Sequence, residues 1–242
     1  MNRYVFISPT FNAAETCRQA ILSLAVQSYD NWHLIVIDDM STDKTELEIR
    51  NTFSFLGIGD KLTYIKNDKK LWEVANVLQG LKHCNDDDII CRMDLDDYLL
   101  DANALEIIDM QYRNNPTLDV TWSMHRWFEP GKLTNMNISK DLPKGSDPYV
   151  HPWVSSHFKT FRKSVLKYVK DENYRGSDGE YFKRIGDQVF MLPALKNARE
   201  WLYIPMPFYA YRCSLSPQTF QTDDAKFQQQ EAIFLRSRGY IP

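Results

Sequence analysis

Three carboxylates fall within four residues in the segment Arg92-Met93-Asp94-Leu95-Asp96-Asp97-Tyr98, directly behind the short apolar run Ile89-Ile90-Cys91. Like charges at this spacing repel unless a cation or hydrogen-bond donors compensate, and carboxylate oxygens are the ligands Mg²⁺ and Mn²⁺ prefer. If the apolar run is a buried strand, the acids sit just past its carboxyl end, where open α/β sheets bind ligands. A solvated turn opening a helix, where the macrodipole favours acids, is the plainer alternative.

The elements needed to position these acids can be read upstream. Tyr4-Val5-Phe6-Ile7 is a compact apolar run closed by Ser8-Pro9-Thr10-Phe11-Asn12, which carries turn chemistry. From Ala14 to Gln27, Cys17, Ala20, Ile21, Leu24 and Ala25 recur at helical spacing. Trp32 to Ile37 reads as a second strand ending at Asp38-Asp39-Met40-Ser41-Thr42-Asp43, with Ser41 or Thr42 able to cap the next helix. Leu62 to Ile65 is a third strand, Leu71 to His83 another helix, and the Ile89 run a fourth strand. Strands alternating with helices and apolar on both faces predict a mainly parallel, Rossmann-like sheet with right-handed crossovers.

In motif content and motif order the chain resembles the inverting family-2 glycosyltransferases of the GT-A fold. Ser8-Pro9-Thr10-Phe11-Asn12 is similar to that family's opening nucleotide-binding loop, and Gln27-Ser28-Tyr29 to its Gln-Thr-Tyr. Val36-Ile37-Asp38-Asp39-Met40-Ser41-Thr42-Asp43 resembles its Val-Asp-Asp-Gly-Ser-Thr-Asp, and Met93-Asp94-Leu95-Asp96-Asp97 its Asp-x-Asp metal motif. Weaker similarities follow: Ser156 to Lys163 to the acceptor-side segment, Arg184 to Phe190 to the helix start bearing the base, and Pro207 to Arg212 to a closing strand with a Tyr-Arg pair.

The resemblance implies one GT-A catalytic domain over residues 1–242. Residues 1 to about 120 would form the nucleotide-sugar half, and the remainder a smaller mixed acceptor half with a C-terminal helix. It implies metal-dependent, inverting transfer of one sugar from a nucleotide donor, a UDP-sugar for preference, to an acceptor hydroxyl. Donor contacts fall to Pro9, Thr10, Phe11, Asn12, Asp39, Lys70, Asn76, Asp94, Asp96 and Arg212, with Asp39 accepting from a ring N–H of the base. Mn²⁺ or Mg²⁺ falls to Asp96 and Asp97, with Asp94 beside them. Asp187 is the base that takes the acceptor's proton, and Trp153 and His157 lie on the acceptor side. Plain helix capping by Asp187, an Asx turn at Asp38, and Asp178 or Glu180 as alternative bases remain open.

Three departures stand out. Met40 replaces the family's glycine, so its loop must accommodate a side chain or pack it against the donor. The usual Ala-Arg-Asn after the third strand becomes Val74-Ala75-Asn76, losing the arginine, with Lys69 or Lys70 as substitutes. Gly186-Asp187 stands where the family more often has Glu-Asp.

At 242 residues, 43% hydrophobic and 25% charged, the chain has ordinary globular composition and enough length for a sizeable core. No apolar run approaches a membrane span and Met1-Asn2-Arg3 leads straight into a strand, so a cytoplasmic protein is expected. Cys17, Cys84, Cys91 and Cys213 have no metal or redox spacing and are expected as reduced thiols. A Gln-x-x-Arg-Trp processivity signature is missing near Gln228, which favours one sugar per encounter. Phe227 to Arg238 reads as a terminal helix that packs on the core or a partner subunit.

The acceptor is the least defined part. Trp122, His125, Trp127, Phe128, Tyr149, His151 and Trp153 form an aromatic-rich stretch that suits either sugar stacking or a covering loop. Net charge is only −3, yet Lys159, Arg162, Lys163, Lys167, Lys170, Arg175, Lys183 and Arg184 concentrate positive charge nearby. A glycan acceptor is favoured; a hydroxylated base in DNA is the alternative, and its mark would be a steep salt dependence. A non-catalytic nucleotide- or carbohydrate-binding adaptor is the third reading, against which five acids in family positions speak. A nucleotidyltransferase would want a glycine-rich, basic loop, and Ser8 to Glu15 has none of those residues.

Overall fold

The computed structural model describes residues 1–129, 131–212 and 222–242. The first part alternates as expected: β1 (Tyr4–Thr10), α1 (Cys17–Ala25), β2 (Trp32–Asp38), α2 (Thr45–Leu56), β3 (Leu62–Lys66), α3 (Trp72–Leu81) and β4 (Ile89–Arg92). Then come β5 (Tyr98–Leu99), α4 (Ala104–Asn114), β6 (Leu118–Glu129), β7 (Lys132–Leu133), β8 (Lys159–Arg162), α5 (Gly186–Asn197), β9 (Glu200–Arg212) and α6 (Asp223–Arg238).

All nine strands among the described residues join one sheet, ordered β3-β2-β1-β4-β8-β6-β9-β5, with β7 on β6. The first four strands are parallel, with Tyr4 opposite both Trp32 and Ile89. This register brings the carboxyl ends of β1, β2 and β4 to one edge, which is where the motif residues lie. Beyond β4 the sheet turns mixed: β8 is antiparallel to β4 and β6, whereas β9 runs parallel to β6.

Burial on both faces explains the continuous apolar runs of the early strands. Val5, Ile7, Ile35, Ile37 and Ile90 face a core shared with Val74 and Val77 of α3 and with α5. The alternating residues Tyr4, Phe6, Leu34, Val36, Ile89 and Cys91 face α1 and α4. Full burial of such side chains is worth about 1.5–3 kcal/mol each. Gly80 lets α3 lie close to the sheet, because a Cβ there would fall 2.7 Å from Ile7 Cγ2.

The terminal helix covers the core: Ala232 and Phe234 pack against it and Leu235 is buried. Neither Ser41 nor Thr42 caps α2. Lys44 is the N-cap residue and makes no side-chain capping bond; Asp43, one residue earlier, accepts from Thr45 N at 2.9 Å in an Asx turn. Cys17, Cys84 and Cys91 are buried free thiols, while Cys213 lies outside the described residues. Among the described residues no helix is long and apolar enough to cross a membrane.

Candidate active site

The loops after β1 and β2 are stitched together. Asn12 N donates to Ser41 Oγ at 2.9 Å and Thr42 N donates to Asn12 Oδ1 at 2.9 Å. Asp38 serves the turn, accepting from Ser41 N at 2.6 Å and from the Tyr64 hydroxyl at 2.5 Å. Met40 adopts φ +71°, the left-handed conformation its glycine counterpart would take freely, and keeps its side chain 40% exposed.

Asp39 is almost fully enclosed and organises the start of α3. Its Oδ1 accepts from Asn67 Nδ2 (2.9 Å) and Leu71 N (2.8 Å), and its Oδ2 from Trp72 N (3.0 Å). Lys70 Nζ approaches the same Oδ2 at 3.4 Å and sits 3.5 Å from the Phe11 ring centroid. Burial pushes the Asp39 carboxyl up, but these donors outweigh it and hold it below the usual range. Two buried polar atoms nearby, Thr10 Oγ1 and Asn76 Nδ2, have no hydrogen-bond partner.

These residues border a cavity of about 720 Å³, within the roughly 300–1,000 Å³ of small-molecule sites. All ten residues expected to contact a donor line it: Pro9, Thr10, Phe11, Asn12, Asp39, Lys70, Asn76, Asp94, Asp96 and Arg212. Trp72, Glu73, Lys183 and Arg184 also line it and were not foreseen there. Trp72 has φ +67°, a conformation costly for a tryptophan, yet its N–H is one of the two backbone donors that reach Asp39.

The three acids after β4 part company. Asp94 and Asp96 face the cavity, and Asp96 is pushed up to about 6 by burial and by the Asp94 charge. Asp97 turns inward, 1% exposed, accepting from the Tyr209 hydroxyl at 2.9 Å and from Arg212 N at 2.6 Å. The expectation that Asp97 faces a metal is corrected: both of its oxygens anchor the acid loop to β9. Arg212 adds a cation there, its Nε donating to Asp96 O at 2.9 Å. Asp94 and Asp96 are the carboxylates that could hold a Mg²⁺ or Mn²⁺ here, and among the described residues no group of three or more His, Cys, Asp or Glu is arranged to hold a metal ion.

Behind the acid loop lies an alternation of buried charges. Arg92 Nη2 meets Glu73 Oε1 at 2.8 Å and Asp94 Oδ1 at 3.6 Å. Lys159, fully buried, donates to Asp187 Oδ1 at 2.5 Å and to His157 Nδ1 at 3.1 Å. His157 is stacked between Tyr209 (4.8 Å) and Tyr211 (4.6 Å), and burial with the Lys159 charge keeps it neutral. Because the ammonium can only donate, Nδ1 accepts and the ring proton sits on Nε2, 3.7 Å from Asp187 Oδ2. Burial pushes Asp187 up, but Lys159, His157 and Arg92 together hold it well below the usual carboxylate range.

Asp187 occupies the first turn of α5, as expected, but is not itself on the cavity lining. The loop before it is fixed by α6, where Glu231 accepts from Lys183 N and Arg184 N, both at 2.9 Å. Asp178 and Glu180 are exposed on a tight loop, Gly176 N donating to Glu180 O at 2.8 Å, and are not brought to this site.

On the acceptor side, the aromatic stretch is largely core. Trp122, His125, Trp127 and Tyr149 are buried and Trp153 packs against the core beneath. The basic residues are largely committed as well. Lys159 pairs with Asp187, Arg162 with Asp119, Lys163 and Lys167 with Asp86, Arg175 with Asp171 and Arg184 with Asp224.

With this geometry in view, similarity to known proteins becomes informative. The family model described as "Glycosyl transferase family 2" matches residues 5–170. UDP-Glc:alpha-D-GlcNAc-diphosphoundecaprenol beta-1,3-glucosyltransferase WfgD of Escherichia coli is 32% identical over 181 residues, 66% of this chain and 68% of that protein. S. aureus TarS 1–349 in complex with UDP-GlcNAc superposes with TM-score 0.71 at 18% identity, covering 99% of this chain and 68% of TarS 1–349. The mannosyltransferase PcManGT from Pyrobaculum calidifontis, in complex with GDP-Man and Mn²⁺, gives TM-score 0.62 at 15% identity, covering 99% and 66%. The chain thus spans about two thirds of the length of these relatives. The fold is GT-A-like, a mixed sheet flanked by helices, and the chain belongs to glycosyltransferase family 2 and is a glycosyltransferase.

Proposed function

We propose that the chain transfers one sugar per encounter from a UDP-sugar to an acceptor hydroxyl, with inversion. The observation that carries this reading is the single cavity lined by all ten expected donor residues. A uracil edge presents acceptor, donor and acceptor in turn. Lys70 and Asn76 can donate and Asp39 can accept, its Oδ2 exchanging the long Lys70 contact for the ring N–H. Uridine nucleotides accompany two of the three similar proteins, WfgD being named for UDP-Glc and a TarS structure holding UDP-GlcNAc, whereas PcManGT holds GDP-Man.

Asp96 with Asp94 would hold Mn²⁺ or Mg²⁺, which as a Lewis acid would neutralise the charge developing on the departing diphosphate. Arg212, Lys183 and Arg184 line the same cavity and add fixed positive charge for that group. Asp187 accepts the acceptor's proton as the new bond forms. Lys159 and His157 keep it ionised and oriented until then. Inversion follows from one displacement with one base.

A glycan-type acceptor, including the lipid-linked sugars of which WfgD's substrate is one, is favoured over DNA because ion pairs already occupy most nearby cations. Residues 1 to about 120 supply most of the donor half in this scheme, and buried free thiols suit a reducing cytoplasm. Calorimetry with UDP, GDP, CDP, TDP and ADP, with and without Mn²⁺, tests the reading. UDP is expected to bind in a Mn²⁺-dependent way, and Asp96→Ala to lose that dependence. Asp187→Asn is expected to keep UDP binding and lose transfer. Metal-independent binding, or none by any nucleotide, would overturn the assignment.

A further inference from the structure

Glu73 was not foreseen from any motif, yet it lies where the donor cavity, the acid loop and the base-bearing helix meet. Its Oε1 accepts from Arg92 Nη2 at 2.8 Å, and Arg92 in turn reaches Asp94. Its Oε2 accepts from Gly186 N at 3.1 Å, the first residue of α5 and the neighbour of Asp187. The fit is so close that a Cβ on residue 186 would fall 2.2 Å from Glu73 Oε1 and 2.3 Å from its Cδ.

Gly186 is not among the glycines with positive φ, so its backbone would accept any residue. Only the space is taken. A side chain on residue 186 would begin in the volume that the Glu73 carboxylate now fills. We propose that Glu73 is a positioning residue for transfer, its carboxylate filling from α3 the space where a side chain on residue 186 of α5 would begin and holding the first N–H of the helix beside Asp187.

The role rests on the reading of Asp187 as the base. The carboxylate satisfies the N-terminal N–H of α5, which has no other intrahelical acceptor, and so fixes where Asp187 projects. Through Arg92 it ties that helix to Asp94. One acid therefore sets the distance between the proton-accepting group and the acids facing the diphosphate.

A double-mutant cycle tests this. UDP release from UDP-glucose and UDP-GlcNAc, with water as acceptor, gives kcat and KM; thermal melting gives stability. Glu73→Ala is expected to lower kcat roughly 10–100-fold, as misplaced catalytic groups do, and because Glu73 borders the donor cavity its UDP affinity is measured alongside. Gly186→Glu alone should lower the melting temperature through its clash. Glu73→Ala combined with Gly186→Glu should melt above either single variant and recover kcat. Glu73→Gln, which keeps the shape and the bond to Gly186 N but turns an N–H toward Arg92, should fall between wild type and Glu73→Ala. A combined variant no better than the worse single one, or an unchanged kcat in Glu73→Ala, overturns the proposal alone. Full turnover by Asp187→Asn would overturn the base assignment and this role with it.

Discussion

Replacing Lys159 with methionine removes a fully buried ammonium while keeping most of its bulk, and exposes how Asp187 is held. The ion pair is short, 2.5 Å, with Lys159 side-chain exposure of 1% and Asp187 of 32%. Removing one partner of a fully buried pair costs about 3–5 kcal/mol, and the part-exposure of Asp187 places this pair at about 2–3 kcal/mol at pH 7. The sign with pH is fixed by the direction of the shift. Asp187 is depressed in the folded state, so its contribution is complete above the unfolded carboxylate value near ~3.9 and is lost as pH falls through the folded value. The stability gap between wild type and Lys159→Met should therefore narrow below that point by about 1.4 kcal/mol per pH unit. Urea denaturation at pH 7, 5, 4 and 3 measures the gap, and the acid limb of UDP release should move upward in the variant. Equal stability at pH 7, or a gap constant down to pH 3, would refute the claim that Lys159 holds Asp187 ionised.

Asp97→Asn should cost about 1–3 kcal/mol, because its amide oxygen can stay on Arg212 N while its N–H turns to the Tyr209 hydroxyl, which then loses the acceptor it donates to. Urea denaturation reads that loss, and calorimetry should find Mn²⁺-dependent UDP binding retained; the opposite pattern would return Asp97 to the metal. Met40→Gly relieves about 1–2 kcal/mol of left-handed strain against roughly 0.5–1 kcal/mol of added chain entropy. Melting should therefore rise slightly; a fall would mean that the half-exposed Met40 side chain packs more than it strains.

Residues carried on short-range signals were legible in the sequence. Tyr4 to Ile7, Trp32 to Ile37 and Ile89 to Cys91 alternate between two cores, and the loops that end them must share one edge once the strands are parallel. Pro9 through Asn12, Asp39, Asp94 and Asp96 lie at those strand ends, while their assignment to a donor is what the family resemblance implies. What distinguishes Asp97 from its neighbours is Tyr209, more than a hundred residues later, and no local pattern announces it. Glu73 and Gly186 are separated by 113 positions, and the vacant side chain at one is the only trace of the carboxylate at the other. Counting basic residues from Lys159 to Arg184 misled for the same reason: their acidic partners, Asp86, Asp119 and Asp224, are scattered along the chain. Asp187 was placed at a helix start, but its sequence neighbours gave no hint of Lys159.

The seam between β4 and β8 also governs how the protein is made. Arg92 lies opposite Lys159 in that antiparallel pair, so two buried cations sit side by side across the join. On the ribosome, β8 follows β4 by nearly seventy residues, roughly 3–14 s of synthesis. During that interval the nascent half-sheet carries an open edge at β4 and lacks the strand that bears Lys159. A slow codon tract or a stall in this window would prolong exposure of a ready-made pairing edge. Yield in hosts that translate this stretch slowly should therefore depend on chaperone supply more than the stability of the finished enzyme would lead one to expect.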